Sequence, residues 1–155
     1  MRLYLVQHGD AKSKSEDPER PLTEQGRNDV ARVAQFAKRA EIEVFQIRHS
    51  GKCRAEETAQ ILAEYLKPDY GVLAIEGLAP SGDVRRVAEL LSRETRSLMF
   101  VGHRPFMDRL VGLLVASDRE CMVVRFQKGG IVCLERDPRS RAWSVGWVVT
   151  PELIP

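Results

Sequence analysis

Cysteine is scarce in this chain. Cys53, Cys121 and Cys133 are the only three among 155 residues. An odd, widely spaced set argues against a secreted disulfide scaffold. Long apolar runs are missing too. The opening Leu3-Tyr4-Leu5-Val6 stretch meets Gln7, His8 and Asp10 too soon for a secretion signal and far too soon for a bilayer span. An excess of one charge is also lacking. The formal net charge is only +2, so no global field draws the chain to nucleic acid or to a membrane. The expected address is a reducing cytoplasm, with neither of those partners.

What is present suits one ordinary domain over residues 1–155, with 43% hydrophobic and 30% charged residues, enough to bury a core without metal or disulfide staples. Repeats, low-complexity tracts and linkers are absent. Residues 2–7 read as a buried strand broken at Gly9, and residues 10–22, with Pro18 and Pro21, as a loop. A helix is predicted from Thr23, with Val30, Val33, Ala34 and Ala37 on its apolar face. Val44–Ile47 reads as a second strand. Ala55, Ala59, Leu62 and Leu66 mark a second helix that Pro68 stops. Val72–Ile75 is a third strand, and Asp83 caps a helix buried through Val84, Val87, Ala88 and Leu91. Ser97–Val101 is a fourth strand. Pro105 then opens a helix with Phe106, Leu110, Leu113 and Leu114 inside. Gly130–Glu135 and Trp143–Val149 read as a closing hairpin around Asp137–Ser140, with Trp143 and Trp147 as core or edge packing. Alternating strands and helices predict a three-layer α/β/α sandwich around a mostly parallel sheet, with the last strands antiparallel at one side.

In such sheets ligands bind beyond the carboxyl ends of the strands, where the strand order switches. Two strand ends carry the same arrangement, Gln7-His8-Gly9 and Gly102-His103-Arg104, each a histidine beside a glycine that permits a sharp turn or a close approach. Arg20 lies in the loop after the first strand. Arg54 stands near a helix start, where the dipole disfavours a cation, so a functional reason for it is more attractive than a capping one. Arginine offers a planar fork of donors matched to phosphate oxygens. Two histidines and two arginines converging on one crevice would make a phosphate site.

Those residues, in that order, resemble the histidine phosphatase superfamily, in particular its short SixA-type branch. The resemblance rests on Gln7-His8-Gly9-Asp10-Ala11, Arg20-Pro21-Leu22-Thr23 with Gly26, the Ser50, Arg54, Thr58 pattern, the Leu78–Val84 turn and Gly102-His103. It covers nearly the whole chain and implies a phosphoglycerate mutase-like fold. One position departs: Gln7 stands where the family has arginine, which removes a charge from the pocket. The resemblance implies a phosphohistidine phosphatase in which neutral His8 attacks phosphorus and water then hydrolyses the phospho-His8 intermediate. Gln7, Gly9, Arg20, Arg54 and His103 would bind the phosphoryl group, with His103, if protonated, stabilising its charge and no metal or other cofactor needed. The general acid stays open among Glu76, Asp83, Asp10 and solvent. The partner would be a protein bearing phosphohistidine, such as a signalling phosphotransfer domain, or a small phosphate ester.

Three other readings are distinguishable. One is a small-molecule phosphomonoesterase on the same scaffold. Another is a phosphate- or phosphoprotein-binding module that Gln7 has deprived of catalysis. The third is a metal site built from His8, His49, His103 and Cys53, which no compact ligand spacing supports. His49 reads as a rim or structural residue. Cys53 and Arg54 are adjacent, without the glycine-rich loop a cysteine-based phosphatase places between them.

Overall fold

Strand β1 (Arg2–Gln7) lies inside a six-stranded sheet of order β3-β2-β4-β1-β5-β6, in which β2 is Gln46–His49, β3 Val72–Ala74, β4 Leu98–Gly102, β5 Ile131–Arg136 and β6 Trp143–Val149. These elements come from a computed structural model that describes residues 1–155. β3, β2, β4 and β1 pair in parallel, whereas β1–β5 and β5–β6 pair antiparallel. This is the mostly parallel α/β sheet expected from the alternation of elements.

The strands alternate their side chains between two cores. Tyr4 and Val6 join Val30, Val33, Ala34, Ala37, Ala55, Ala59 and Leu62 of helices α1 (Glu24–Arg39) and α2 (Cys53–Leu66) on one face. Leu3 and Leu5 join Val84, Val87, Leu91, Phe106, Leu110 and Val111 of α3 (Val84–Arg93) and α4 (Phe106–Ala116) on the other. The chain leaves β1 toward α1 on the first face and leaves β4 toward α4 on the second. Because β1 and β4 are neighbours, the carboxyl ends of these two strands flank the point where the winding reverses.

Some boundaries differ from the sequence reading. The second strand runs over Gln46–His49 rather than Val44–Ile47. Val44 and Phe45 pack into the two cores while still approaching the sheet, and the strand proper alternates half-buried Gln46 and Arg48 with buried Ile47 and His49. Leu113 and Leu114 are only half-buried; Met107 and Val111 take the inner face of α4 with Phe106 and Leu110. Pro105 stands just ahead of α4 rather than within its first turn. Trp143 and Trp147, four apart, should share a face of a regular strand. A bulge opposite Cys133/Leu134 leaves Gly146 unpaired. Trp147 therefore packs on the Tyr4 side and Trp143 on the opposite one.

The start of α1 is locked to the segment after β1. Thr23 caps the helix by accepting from Gly26 N (2.9 Å), and its hydroxyl donates to Asp10 Oδ2 (3.0 Å). A Cβ on Gly26 would lie 2.1 Å from the Asp10 carbonyl oxygen. Gly26→Ala should therefore lose about 2 kcal/mol in urea unfolding, because the clash outweighs the roughly 1 kcal/mol that alanine brings to a helix.

Candidate active site

His8 and His103 meet at the switch point. Each follows directly on the end of its strand, and Gln7 pairs with Gly102 across the β1–β4 ladder. The two rings lie 5.0 Å apart, inclined at 52°, and both are buried, with 7% and 2% exposure. The flanking glycines pack against the protein itself. A Cβ on Gly9 would meet Val30 at 2.8 Å, and one on Gly102 would meet Met107 at 2.7 Å. They bring the histidine backbones tight against α1 and α4 rather than opening room for a ligand. Gly9 N also donates to Thr58 Oγ1 (3.0 Å), whose hydroxyl donates to Arg54 O (2.8 Å). These bonds fix the end of β1 to the start of α2.

Hydrogen bonding sets the tautomer of His8. A carbonyl only accepts, so the 2.7 Å contact to Gly9 O requires Nδ1–H as donor. Nε2 of the neutral ring then carries the lone pair, and Arg54 Nε–H points at it from 3.3 Å. Burial holds His8 down to about 4, with the Gly9 carbonyl opposing and the charges of Arg54, Lys128 and Arg20 reinforcing the fall. The ring is neutral through the physiological range, as a nucleophile needs.

His103 is held neutral as well. Burial lowers it to about 3, and His8, Arg54, Lys52 and Arg20 act in the same direction. Its Nε2 shares a 2.6 Å hydrogen bond with Ser50 Oγ, while Nδ1 is buried without a partner.

Arg20 and Arg54 are brought together on one open groove of about 540 Å³, lined also by Lys14, Glu19, Lys52 and Cys53. Neither arginine belongs to any of the eight ion pairs of the molecule. Burial lowers the Arg54 pKa, and the neighbouring Arg20 charge lowers it further. Two guanidinium groups held near each other, neither of them ion-paired, disfavour each other's charge. Arg20 further adopts a left-handed backbone (φ 50°), and its Nε donates to Lys12 O at 3.0 Å. Strain of this kind in a non-glycine residue gathers at functional sites.

The other expected residues fall out differently. Gln7 adjoins the site, but its side chain makes no hydrogen bond and its Oε1 is buried without a partner. Asp83 accepts from Arg85 N as the cap of α3. Both oxygens of Asp10 are engaged, one by the Thr23 hydroxyl and one by Lys128 Nζ. Burial alone would raise its pKa, but those bonds hold it below the ordinary value, which keeps it a carboxylate rather than an acid. Glu76 is exposed. His49 accepts from Gly51 N through Nδ1 (3.0 Å) and has a structural place in the turn after β2. Cys53 is not activated: burial and nearby carboxylates push its thiol up. No three His, Cys, Asp or Glu side chains gather as metal ligands do. Two further residues lie near the histidines: Ser50, which entered the sequence reading only as part of a motif, and Lys128, which that reading did not single out. Ser50 meets His103, and Lys128 comes from the loop between α4 and β5.

The fold and this site define a phosphoglycerate mutase-like α/β protein with two histidines paired at the strand switch and two arginines free of ion pairs on the adjoining groove. A sequence profile of the histidine phosphatase superfamily (branch 1) matches residues 3–79. Phosphohistidine phosphatase SixA of Escherichia coli (strain K12) is 31% identical over 121 residues, covering 75% of this chain and 73% of that protein. The structure of the protein histidine phosphatase SixA complexed with tungstate superposes with a TM-score of 0.86 at 25% identity, covering 99% of both chains. The alpha-ribazole phosphatase of Shigella flexneri shares the fold alone, with a TM-score of 0.80 at 15% identity over 97% of each chain. The chain belongs to the histidine phosphatase superfamily, in its SixA-type branch.

Proposed function

We propose that this chain is a metal-independent phosphohistidine phosphatase working through a covalent phospho-His8 intermediate, as one domain over residues 1–155. The observation that carries the reading is the His8 Nε2 lone pair, set by the Gly9 carbonyl and facing an arginine with no counter-charge. In the first step His8 Nε2 attacks phosphorus, and the bond to the leaving imidazole of the substrate breaks, with its proton drawn from solvent. In the second step water attacks the phospho-His8 phosphorus, releasing phosphate and restoring the ring. Arg20 and Arg54 hold the non-bridging oxygens throughout, and such positioning provides most of the catalysis in phosphoryl transfer. The cationic side chains take the part a metal has in other phosphatases.

His103 starts neutral and is charged by the ligand. A dianion beside it favours the imidazolium, so its pKa rises from about 3 when an oxyanion enters. Anion binding should therefore take up protons, the more so as the pH is lowered, and affinity should fall as pH rises. Tungstate, which carries no proton of its own at these pH values, is the clean probe. Calorimetry in two buffers of different ionisation enthalpy should show an uptake that His103→Gln abolishes.

Phosphohistidine on a protein is favoured over a small ester because the groove is open and flanked by Lys14 and Lys52, which suits a side chain presented by an acidic surface. The three unpaired thiols agree with a reducing, cytoplasmic setting, and no helix is long and apolar enough to cross a membrane. Turnover of a phosphorylated histidine phosphotransfer domain, compared with that of sugar phosphates at equal concentration, tests the substrate. A preference for the protein of about a hundredfold or more in kcat/KM, roughly 3 kcal/mol, is expected. Equal or better use of sugar phosphates would move the assignment to a phosphomonoesterase. Tight phosphate binding without turnover would move it to a binding module.

A further inference from the structure

The end of β1 carries no positive charge beside the nucleophile, yet a charge is delivered there from elsewhere in the chain. Gln7 is neutral and buried, and its side-chain oxygen lacks a partner. Its main-chain carbonyl accepts from Gly129 N at 2.9 Å, and Gly129 takes a left-handed φ of 76°, which pins the Lys128–Gly130 turn onto the strand end. Lys128 Nζ thereby reaches Asp10 Oδ1 at 3.1 Å, two residues beyond His8. The Lys128 side chain is half-exposed, at 52%, and such a pair is weakly held. Asp10 is independently held by Thr23. The ammonium is thus a point charge on a flexible stem, close enough to His8 to help lower that ring's pKa, and a doubly charged phosphoryl group there competes well for it.

We propose that Lys128 is a phosphate-binding residue that supplies, from the loop before β5, the charge that residue 7 does not bring, so that Gln7 and Lys128 function as one unit. This rests on the reading of the His8–Arg54 pocket as a phosphate site. The ligand class is a phosphoryl dianion, whether free or on the nucleophile. The competing role for Lys128 is purely structural, as an anchor that ties its turn to Asp10. An anchor lost by mutation would not be repaired by a charge placed on β1.

The test is the affinity for inorganic phosphate, measured by calorimetry at pH 8 on wild type, Lys128→Met, Lys128→Arg, Gln7→Arg and the Gln7→Arg/Lys128→Met double variant. Removing one charge-assisted contact should weaken phosphate binding about tenfold in Lys128→Met, while Lys128→Arg stays within about threefold of wild type. Gln7→Arg should restore about tenfold in the Lys128→Met background but add less than about threefold to wild type, because the oxygens it would meet are already served. Unchanged affinity in Lys128→Met, or the same factor from Gln7→Arg in both backgrounds, overturns the proposal and leaves the phosphate site standing. Failure of wild type itself to bind phosphate overturns both.

Discussion

Alanine in place of His8 should lower phosphatase turnover by about four orders of magnitude or more, because no other group can take its place in the covalent step. His8 is the only ring in the pocket whose lone pair is both fixed and directed at a guanidinium: Nδ1–H is committed to Gly9 O, leaving Nε2 before Arg54. His103 lacks such a fixed tautomer, since no carbonyl holds its Nδ1, which is buried without a partner, and its Nε2 meets the Ser50 hydroxyl instead of a guanidinium. The side chain is small relative to the two cores and lies at a strand end outside them, so the variant should remain folded and still bind phosphate through the arginines. Steady-state kinetics on a phosphorylated histidine domain, with phosphate affinity measured alongside, checks both halves. Turnover within tenfold of wild type would show that phosphorus never bonds to this ring.

Arg54→Ala should reduce kcat/KM by about a thousandfold, the size expected when a preorganised cation facing the transferred group is removed. Arg54→Lys should recover only part of this loss, because an ammonium keeps the charge but not the planar fork nor the Nε–H aimed at His8. The same variant moves the pH profile in a definite direction. Arg54 is one of the charges that hold His8 down to about 4. Without it the ring protonates more readily, so the acid limb of kcat/KM should shift to higher pH in Arg54→Ala. A loss of rate with an unmoved acid limb would mean that Arg54 does not act on the nucleophile.

Much of this architecture was legible because the relevant patterns are local. A short apolar run ending in His-Gly is visible without coordinates, and so is the 3.6-residue recurrence of Val30, Val33, Ala34 and Ala37, which the structure buries against Tyr4 and Val6. The fold-level rule that ligands gather at the strand switch then brought His8 and His103 together correctly. What escaped depends on register or on long-range contact. The opposite faces of Trp143 and Trp147 follow from one unpaired residue, Gly146, which carries no mark in an otherwise regular strand. The start of β2 was shifted because Val44 and Phe45 are apolar for the sake of two different cores, not one strand face. The neutrality of His103 depends first on its burial and then on the charges around it, which spacing along the chain does not reveal. Lys128 lies 118 residues from Asp10, in a loop with no periodicity to draw attention to it. The Lys128-Gly129-Gly130 sequence announces a turn, but only its hydrogen bond to Gln7 places that turn beside His8.

The most direct measurement is rapid-quench trapping with a radiolabelled phosphohistidine domain, followed by peptide mapping of the label on this chain. The account predicts acid-labile, base-stable phosphate on Nε2 of His8, formed and lost within a turnover and absent from His8→Ala. Turnover with no label on the chain, or label residing on any residue other than His8, would contradict it.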